Sequence, residues 1–303
     1  MKILVADGVS EKGIEILSKE FECEIRAKLP AEELLATIHE YDGLVVRSAS
    51  KVTKEVIEAA TNLKVIGRAG VGVDNIDIEA ATAKGIIVLN APEGNTIAAT
   101  EHTVAMMLSM ARNIPQAHSS VQNGEWKRNQ FVGVEMRGKT LGVIGLGRIG
   151  SGVAKRAIAF DMKVIGYDPY VNEERAKTMG IEVVSLEEIY ANADFISVHM
   201  PLTAQTKDLI NSETISKMKD GVYLVNCARG GIINEADLAE AVKAGKVAGA
   251  AIDVFPKEPI EPNSPLLGVD KIVLTPHLGA STVEAQIGVS VDVAYGIVAA
   301  LKG

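Results

Sequence analysis

Residues 140–170 read TLGVIGLGRIGSGVAKRAIAFDMKVIGYDPY. An apolar run from Thr140 to Ile144 leads into Gly145, Gly147 and Gly150 in the pattern G-x-G-x-x-G, and the pattern predicts a helix opening at about Arg148. In such a strand-turn-helix unit the first glycine permits a tight turn, the second lets a pyrophosphate approach the backbone, and the third lets helix and strand pack closely. A second apolar run, Lys163 to Tyr167, ends in Asp168, near the distance at which an acidic side chain reaches the ribose hydroxyls of a dinucleotide. The glycine spacing alone is a weak signal; the complete βαβ unit around it is a strong one. Pro169, Tyr170, Val171 and Asn172 follow with no cation placed to take a 2′-phosphate, so NAD is expected in preference to NADP.

Outward from this unit, hydrophobic periodicity divides the chain into two α/β arrays. The first begins with strand KILVAD, a helix over Glu11 to Lys19, strand FECEIR, a helix opened by Pro30, strand GLVVRS, a helix over Thr53 to Ala60, and strands LKVIGRAG and GIIVLN. Short strands alternating with helices predict a parallel sheet with right-handed crossovers. A largely apolar helix from about Asn95 to Arg112 leads through His118 to the linker QNGEWKRNQFVG, and a last helix spans Val283 to Leu301. The fold class expected is α/β with two doubly wound parallel-sheet domains. A flavodoxin-like substrate domain takes residues 1–94 plus 283–303, and a Rossmann NAD-binding domain, residues 95–282, is inserted in it.

Three side chains near the C-terminal end follow apolar runs of strand type: Arg229 after VYLVNCA, Glu258 after AGAAIDV and His277 after KIVLT. Open α/β sheets bind ligands at the carboxyl ends of their strands, so a cation, a carboxylate and an imidazole are expected to converge there. Hydride transfer at a 2-hydroxy acid needs those groups: an anchor for the substrate carboxylate, a base for the hydroxyl proton, and a carboxylate to steady the base. Cys227 beside Arg229 could be read as a nucleophile, but a small polarizable packing residue is the preferred reading.

The remaining features bound the function. The chain has 303 residues, a net charge of -8 and 47% hydrophobic residues, enough for two cores and unsuited to nucleic acid. No apolar run of membrane-spanning length is expected and MKILVAD enters a strand at once, so the expectation is a cytoplasmic protein with no membrane partner. Cys23 and Cys227 make neither a disulfide framework nor a zinc pattern, and no metal is expected. Met106, Met107 and Met110 read as packing residues, His39 and His118 as surface groups, and His102 as a satisfied helix histidine. His199 stands at a strand end but lacks a paired glutamate, and Asp74 and Asp77 read as braces before a helix over Ile78 to Ala83. Trp126, the only tryptophan, reads as an interface residue rather than a hinge filler.

GLGRIG, HMPLT at 199–203, NCARGG, DVFPKEP and PHLGAST together resemble the D-isomer-specific 2-hydroxyacid dehydrogenase family, and the match runs from end to end. The resemblance implies that Arg229 binds the substrate carboxylate and carbonyl, that His277 is the general acid/base, and that Glu258 pairs with it. For the cofactor it implies Gly145, Gly147, Arg148, Ile149 and Gly150 at the pyrophosphate and Asp168 at the ribose. Met200 and Pro201 fall beside the adenosine, and Cys227, Ala228, Arg229, Asp253, His277 and Gly279 around the nicotinamide. VRSASKVT, GRAGVGVDNID and HLGASTVEAQ narrow the resemblance to members acting on a phosphorylated 2-hydroxy acid. Arg47, Ser48, Arg68, Gly70 and Asn95 would then face a cleft opposite Arg229 and His277 and take the phosphate. The resemblance further implies a homodimer or higher homo-oligomer. Members of this kind often continue into small-molecule-binding regulatory domains; the sequence ends at Gly303, and a naturally short form and a piece of a longer chain are both left open. A glyoxylate or hydroxypyruvate reductase, and an NAD-sensing transcriptional corepressor, are the alternatives left open.

Overall fold

The apolar runs at the middle of each sheet form parallel strands buried on both faces, as sheets covered by helices on both sides require; Gly43–Val46 and Phe195–Val198 contain no exposed residue, whereas the edge strands Glu22–Ile25 and Ile87–Asn90 do. The computed structural model describes residues 1–303, which divide into two units, Met1–Ala98 with Ala280–Gly303, and Ala99–Gly279. These crossings stand four and three residues from the expected ones, after residues 94 and 282.

The first unit runs β1 (Lys2–Val5), α1 (Glu11–Ser18), β2 (Glu22–Ile25), α2 (Ala31–Thr37), β3 (Gly43–Val46), α3 (Lys54–Ala59), β4 (Val65–Arg68), α4 (Ile78–Ala83) and β5 (Ile87–Asn90). Its sheet order is β2-β1-β3-β4-β5, every pair parallel. Chain direction across the sheet reverses at β1, so a crevice opens past the carboxyl ends of β1 and β3. The register Val5↔Val45 then brings Asp7 opposite Arg47. Asp77 caps α4 by accepting the N–H of Ala80 at 2.9 Å.

The C-terminal helix, Val283–Lys302, covers this sheet, burying Ala285, Val289, Val293, Ala294 and Ile297. It approaches α1 so closely that a Cβ at Gly13 would stand 2.8 Å from the Ser290 carbonyl oxygen. With 20 residues and a mean hydropathy of 1.3 it is long and apolar enough to cross a membrane, against the sequence expectation that no segment reaches that length. Its apolar side is spent on the core shared with Ile3, Val5, Leu17 and Val65.

The second unit receives α5 (Thr96–Ala111) and continues with α6 (Ile114–Gln122), β6 (Thr140–Ile144), α7 (Arg148–Ala159), β7 (Lys163–Tyr167), α8 (Glu173–Thr178), β8 (Glu182–Val183), α9 (Leu186–Asn192), β9 (Phe195–Val198), α10 (Ser212–Ser216), β10 (Val222–Asn226), α11 (Glu235–Lys243), β11 (Val247–Ile252) and β12 (Ile272–Leu274). Its seven strands are ordered β12-β11-β10-β9-β6-β7-β8, again parallel, with the reversal at β6. Met106, Met107 and Met110 of α5 are buried against Val153, Ala157 and Val164, the packing role expected of them. The stretch after Arg112, read from sequence as a connector, is instead helix α6. Pro115 sits in its first turn, where a fixed φ is pre-organised for a helix, and left-handed Asn113 (φ 52°) separates it from α5.

Candidate active site

The glycine turn after β6 has the shape its sequence demands. Gly145 takes φ 101°, and a Cβ there would stand 2.7 Å from the His199 carbonyl oxygen; a Cβ at Gly150 would stand 1.9 Å from the Gly145 carbonyl oxygen. Gly147 is different, since a Cβ there would meet nothing within 4 Å and would project into open space in front of α7. Gly147 is also the N-cap of α7 and offers no side-chain acceptor, and the positive end of the helix faces the glycine turn, where an anion is favoured. Asp168, just past β7, is pinned to this turn: Oδ2 accepts the Leu146 N–H and Oδ1 the Tyr170 N–H, both at 2.8 Å. An anion cradle with a carboxylate beside it fits the pyrophosphate and ribose of NAD. Past β9, the Pro201 carbonyl accepts the Thr206 hydroxyl at 2.6 Å, and Met200 lies within 3.0 Å of a Cβ built on Gly145.

The three strand ends that carry the expected chemistry are neighbours. β10 pairs with β11 (Leu224↔Ala250) and β11 with β12 (Ala250↔Ile272), so the segments bearing Arg229, Glu258 and His277 leave adjacent strands on one edge. Arg229 is aimed by Asn226, a buried side chain that donates to the Arg229 carbonyl at 2.8 Å and accepts the Ala228 N–H at 3.0 Å. Sequence reading missed Asn226, although an Asn closing an apolar strand is a recognisable sign of a side chain that bonds its own turn.

His277 stands in a left-handed conformation, φ 54°, unusual for a residue with a β-carbon. Its N–H donates to the Asp253 carbonyl at 2.9 Å, and its Nδ1 lies 2.7 Å from Glu258 Oε2. Glu258 Oε1 in turn accepts the Phe255 N–H at 3.1 Å. Burial would raise the Glu258 carboxyl, but the hydrogen bonds from His277 and Phe255 outweigh it and leave the group below its ordinary value. An ionised Glu258 fixes the Nδ1–H tautomer, which leaves Nε2 as the ring nitrogen with a lone pair.

Asp253, expected beside the nicotinamide carboxamide, is fully enclosed. Its carboxylate accepts the N–H groups of Leu278 (2.8 Å) and Gly279 (2.9 Å) and the Thr275 hydroxyl (2.6 Å), so it builds the floor of the His277 turn. Cys227 shares this floor; burial pushes its thiol up to about 12, which removes the nucleophile reading. His199 stays outside the constellation, bonded to the Ser197 hydroxyl at 2.8 Å, and burial lowers it to about 4, so it is neutral and no match for His277.

The residues expected to take the phosphate sit at strand ends of the other unit. Asp7 Oδ2 accepts the N–H groups of Arg47 (2.6 Å) and Ser50 (3.1 Å), and Oδ1 accepts the Ser50 hydroxyl at 2.8 Å. Asn75 closes the other side by donating to the carbonyls of Arg47 (2.7 Å) and Ser50 (2.6 Å). The loop that holds exposed Ser48 is therefore fixed before any ligand arrives, with Arg47 Nη1 resting on the Gly8 carbonyl at 3.2 Å. The Arg68 guanidinium folds over Gly70, so a Cβ at residue 70 would push the guanidinium aside. Asn95, just before α5, has a buried Oδ1 that meets no donor in the protein.

This fold and site define a class. The chain belongs to the D-isomer specific 2-hydroxyacid dehydrogenases, and residues 104–279 match the model of that family's NAD binding domain. It is 54% identical to the D-3-phosphoglycerate dehydrogenase of Archaeoglobus fulgidus over 304 residues, which cover 100% of this chain and 58% of that protein. The chain spans little more than half the length of the curated relatives it matches. Among solved structures, the TT0316 protein of Thermus thermophilus superposes with a TM-score of 0.93 at 34% identity, covering 100% of this chain and 97% of that one. The D-lactate dehydrogenase of Aquifex aeolicus, complexed with NAD and lactic acid, superposes with a TM-score of 0.87 at 31% identity, covering 100% and 96%.

Proposed function

We propose that this chain oxidises D-3-phosphoglycerate to 3-phosphohydroxypyruvate with NAD, the opening step of serine biosynthesis. The observation that carries the reading is the 2.7 Å pair of His277 Nδ1 and Glu258 beside the strand end of Arg229. Arg229 binds the substrate carboxylate and carbonyl in a fork of fixed donors. Neutral Nε2 of His277 takes the proton of the C2 hydroxyl, and Glu258 stabilises the imidazolium that results. NAD supplies the hydride acceptor, seated by Gly145, Gly147, Arg148, Ile149 and Gly150 at its pyrophosphate and by Asp168 at its ribose, with Met200 and Pro201 beside the adenosine. Cys227, Ala228, Asp253 and Gly279 wall the nicotinamide. Arg47, Ser48, Arg68, the amide of Gly70 and Asn95 read the phosphate.

Identities of 54%, 55% and 52% over the full chain to three D-3-phosphoglycerate dehydrogenases support this substrate over its rivals. The test is a steady-state panel of D-3-phosphoglycerate, D-glycerate, glyoxylate and hydroxypyruvate. A phosphate requirement supports the proposal, fast reduction of glyoxylate or hydroxypyruvate replaces it with the reductase reading, and no turnover of any acid leaves the corepressor reading. We further propose a cytoplasmic protein that forms a homodimer or higher homo-oligomer; Ile114 (51% exposed), Val121 (56%), Trp126 (83%) and Val132 (81%) are exposed apolar side chains of the second unit that a second copy would cover. Light scattering showing a monomer would remove that part.

A further inference from the structure

His102, Cys227 and Asp253 bring an imidazole, a thiol and a carboxylate within 4.8 Å of one another beneath the His277 turn, a grouping of the kind that holds metal ions. Its hydrogen bonding speaks for another role. Both carboxylate oxygens of Asp253 are already engaged by donors, and the Cys227 sulfur, pushed up to about 12, is a thiol and not the thiolate a metal would need. The imidazole is what remains to be explained.

On α5, Nε2 of His102 lies 3.1 Å from Asp253 Oδ1 and 3.3 Å from the Thr275 hydroxyl oxygen. The Thr275 hydroxyl has one proton, and its 2.6 Å contact with Asp253 Oδ1 shows where that proton goes. Nε2 of His102 is therefore the donor in both of its contacts. Asp253 collects His102, Thr275, Leu278 N–H and Gly279 N–H; the last two are the amides that directly follow His277. The groups facing this carboxylate are thus His102 from α5, Cys227 after β10 and the Thr275–Gly279 segment after β12, with Glu258 close enough to feel its charge.

We propose that His102 is a positioning residue for the acid/base turn: by donating from Nε2 it holds Asp253 where that carboxylate fixes the Leu278 and Gly279 amides, and so sets the imidazole of His277. The inference rests on the reading of His277 as the proton-exchanging group. Losing the donor leaves an enclosed carboxylate one bond short, and the turn it holds is the one that carries His277 in a left-handed conformation. A small displacement of a reacting group is enough to cost much of the rate.

The chain has five histidines, so imidazole NMR of the ¹⁵N-histidine-labelled protein without ligands gives few signals, and His277→Asn identifies that of His277. His102→Leu fills the space without a donor, whereas His102→Gln places an amide N–H near the position of Nε2. The expected result for His102→Leu is a shifted or split His277 signal together with a fall in kcat of about 10- to 100-fold and a KM within about twofold of wild type. His102→Gln is expected to restore both to within a few-fold. If His102→Leu does not fold, His102→Asn, a donor one methylene too short, is read in the same way. The proposal is overturned by an unchanged His277 signal, by a changed signal with unchanged kcat, by a Gln variant no better than Leu, or by a loss confined to thermal stability. The NMR readout needs no substrate, so a wrong substrate assignment would leave it interpretable.

Discussion

The two strand-end clusters use one device for two purposes. In each, a buried aspartate just past one strand grips the loop that follows the neighbouring strand: Asp7 after β1 holds the Arg47–Ser50 loop after β3, and Asp253 after β11 holds the turn after β12. The partners differ. Asp7 is completed by a hydroxyl, from Ser50, and the loop it fixes presents hydrogen-bond donors and a cation. Asp253 is completed by an imidazole as well as a hydroxyl, and the turn it fixes carries a second imidazole paired with Glu258. A rigid loop of donors suits recognition of an anion, while an imidazole poised on a carboxylate suits proton transfer. On this account the first unit sets which acid binds and the second sets how fast it reacts.

The largest effect is expected where the chemistry lies. His277→Ala removes the proposed proton acceptor, so kcat should fall by about 10² to 10⁴-fold while NADH binding, read by fluorescence titration, stays near wild type. An unaltered kcat would take His277 out of the mechanism. Glu258→Gln removes the charge that favours the imidazolium; the pH-rate profile for alcohol oxidation should move to lower pH, and a profile that does not move would separate this pair from the reaction.

Arg47→Ala comes next and acts on binding. A charge-assisted hydrogen bond contributes roughly 1.5 to 3 kcal/mol, so KM for D-3-phosphoglycerate should rise about 10- to 150-fold with NAD affinity untouched. A KM left within twofold of wild type would place the phosphate elsewhere. Asp168→Ala should shrink the preference for NAD over NADP by about tenfold, because it removes an acceptor for the ribose and a charge that repels the 2′-phosphate. Equal kcat/KM with both cofactors in the wild type would contradict this.

The smallest effect concerns stability. Burial lowers His199 to about 4, so between that value and the ordinary 6.5 the unfolded chain binds a proton that the folded chain does not. Stability should therefore rise with pH across this window and fall as the solution is acidified through it, by at most about 1.4 kcal/mol per pH unit. Urea midpoints at pH 7, 6 and 5 should show this trend in wild type and a flatter one in His199→Gln; identical slopes would mean that His199 is not the group responsible.

What the sequence revealed follows physical range. The glycine turn and Asp168 are legible because neighbours in the chain do the work, and the strand ends of Arg229, Glu258 and His277 are legible because each follows an unbroken apolar run. The C-terminal helix was expected at Val283 to Leu301 and forms over Val283–Lys302. Helix α6 was missed because its start has no side-chain cap, leaving Pro115 as the only punctuation. Asp253 was named only through the resemblance, and the bracing role it shares with Asp7 was opaque for another reason. Asp7 meets Arg47 and Ser50 across 40 and 43 residues, and His102 meets Thr275 across 173, distances over which only the assembled sheet decides who meets whom.

The division of labour between the two units is tested most directly by kcat/KM for D-3-phosphoglycerate relative to D-glycerate in three proteins: wild type, Arg47→Ala and His277→Ala. The account predicts a strong preference for the phosphorylated acid in wild type, its collapse in Arg47→Ala with D-glycerate turnover scarcely changed, and its survival in His277→Ala with both rates reduced together. A preference that survives Arg47→Ala, or one that disappears in His277→Ala, would contradict it.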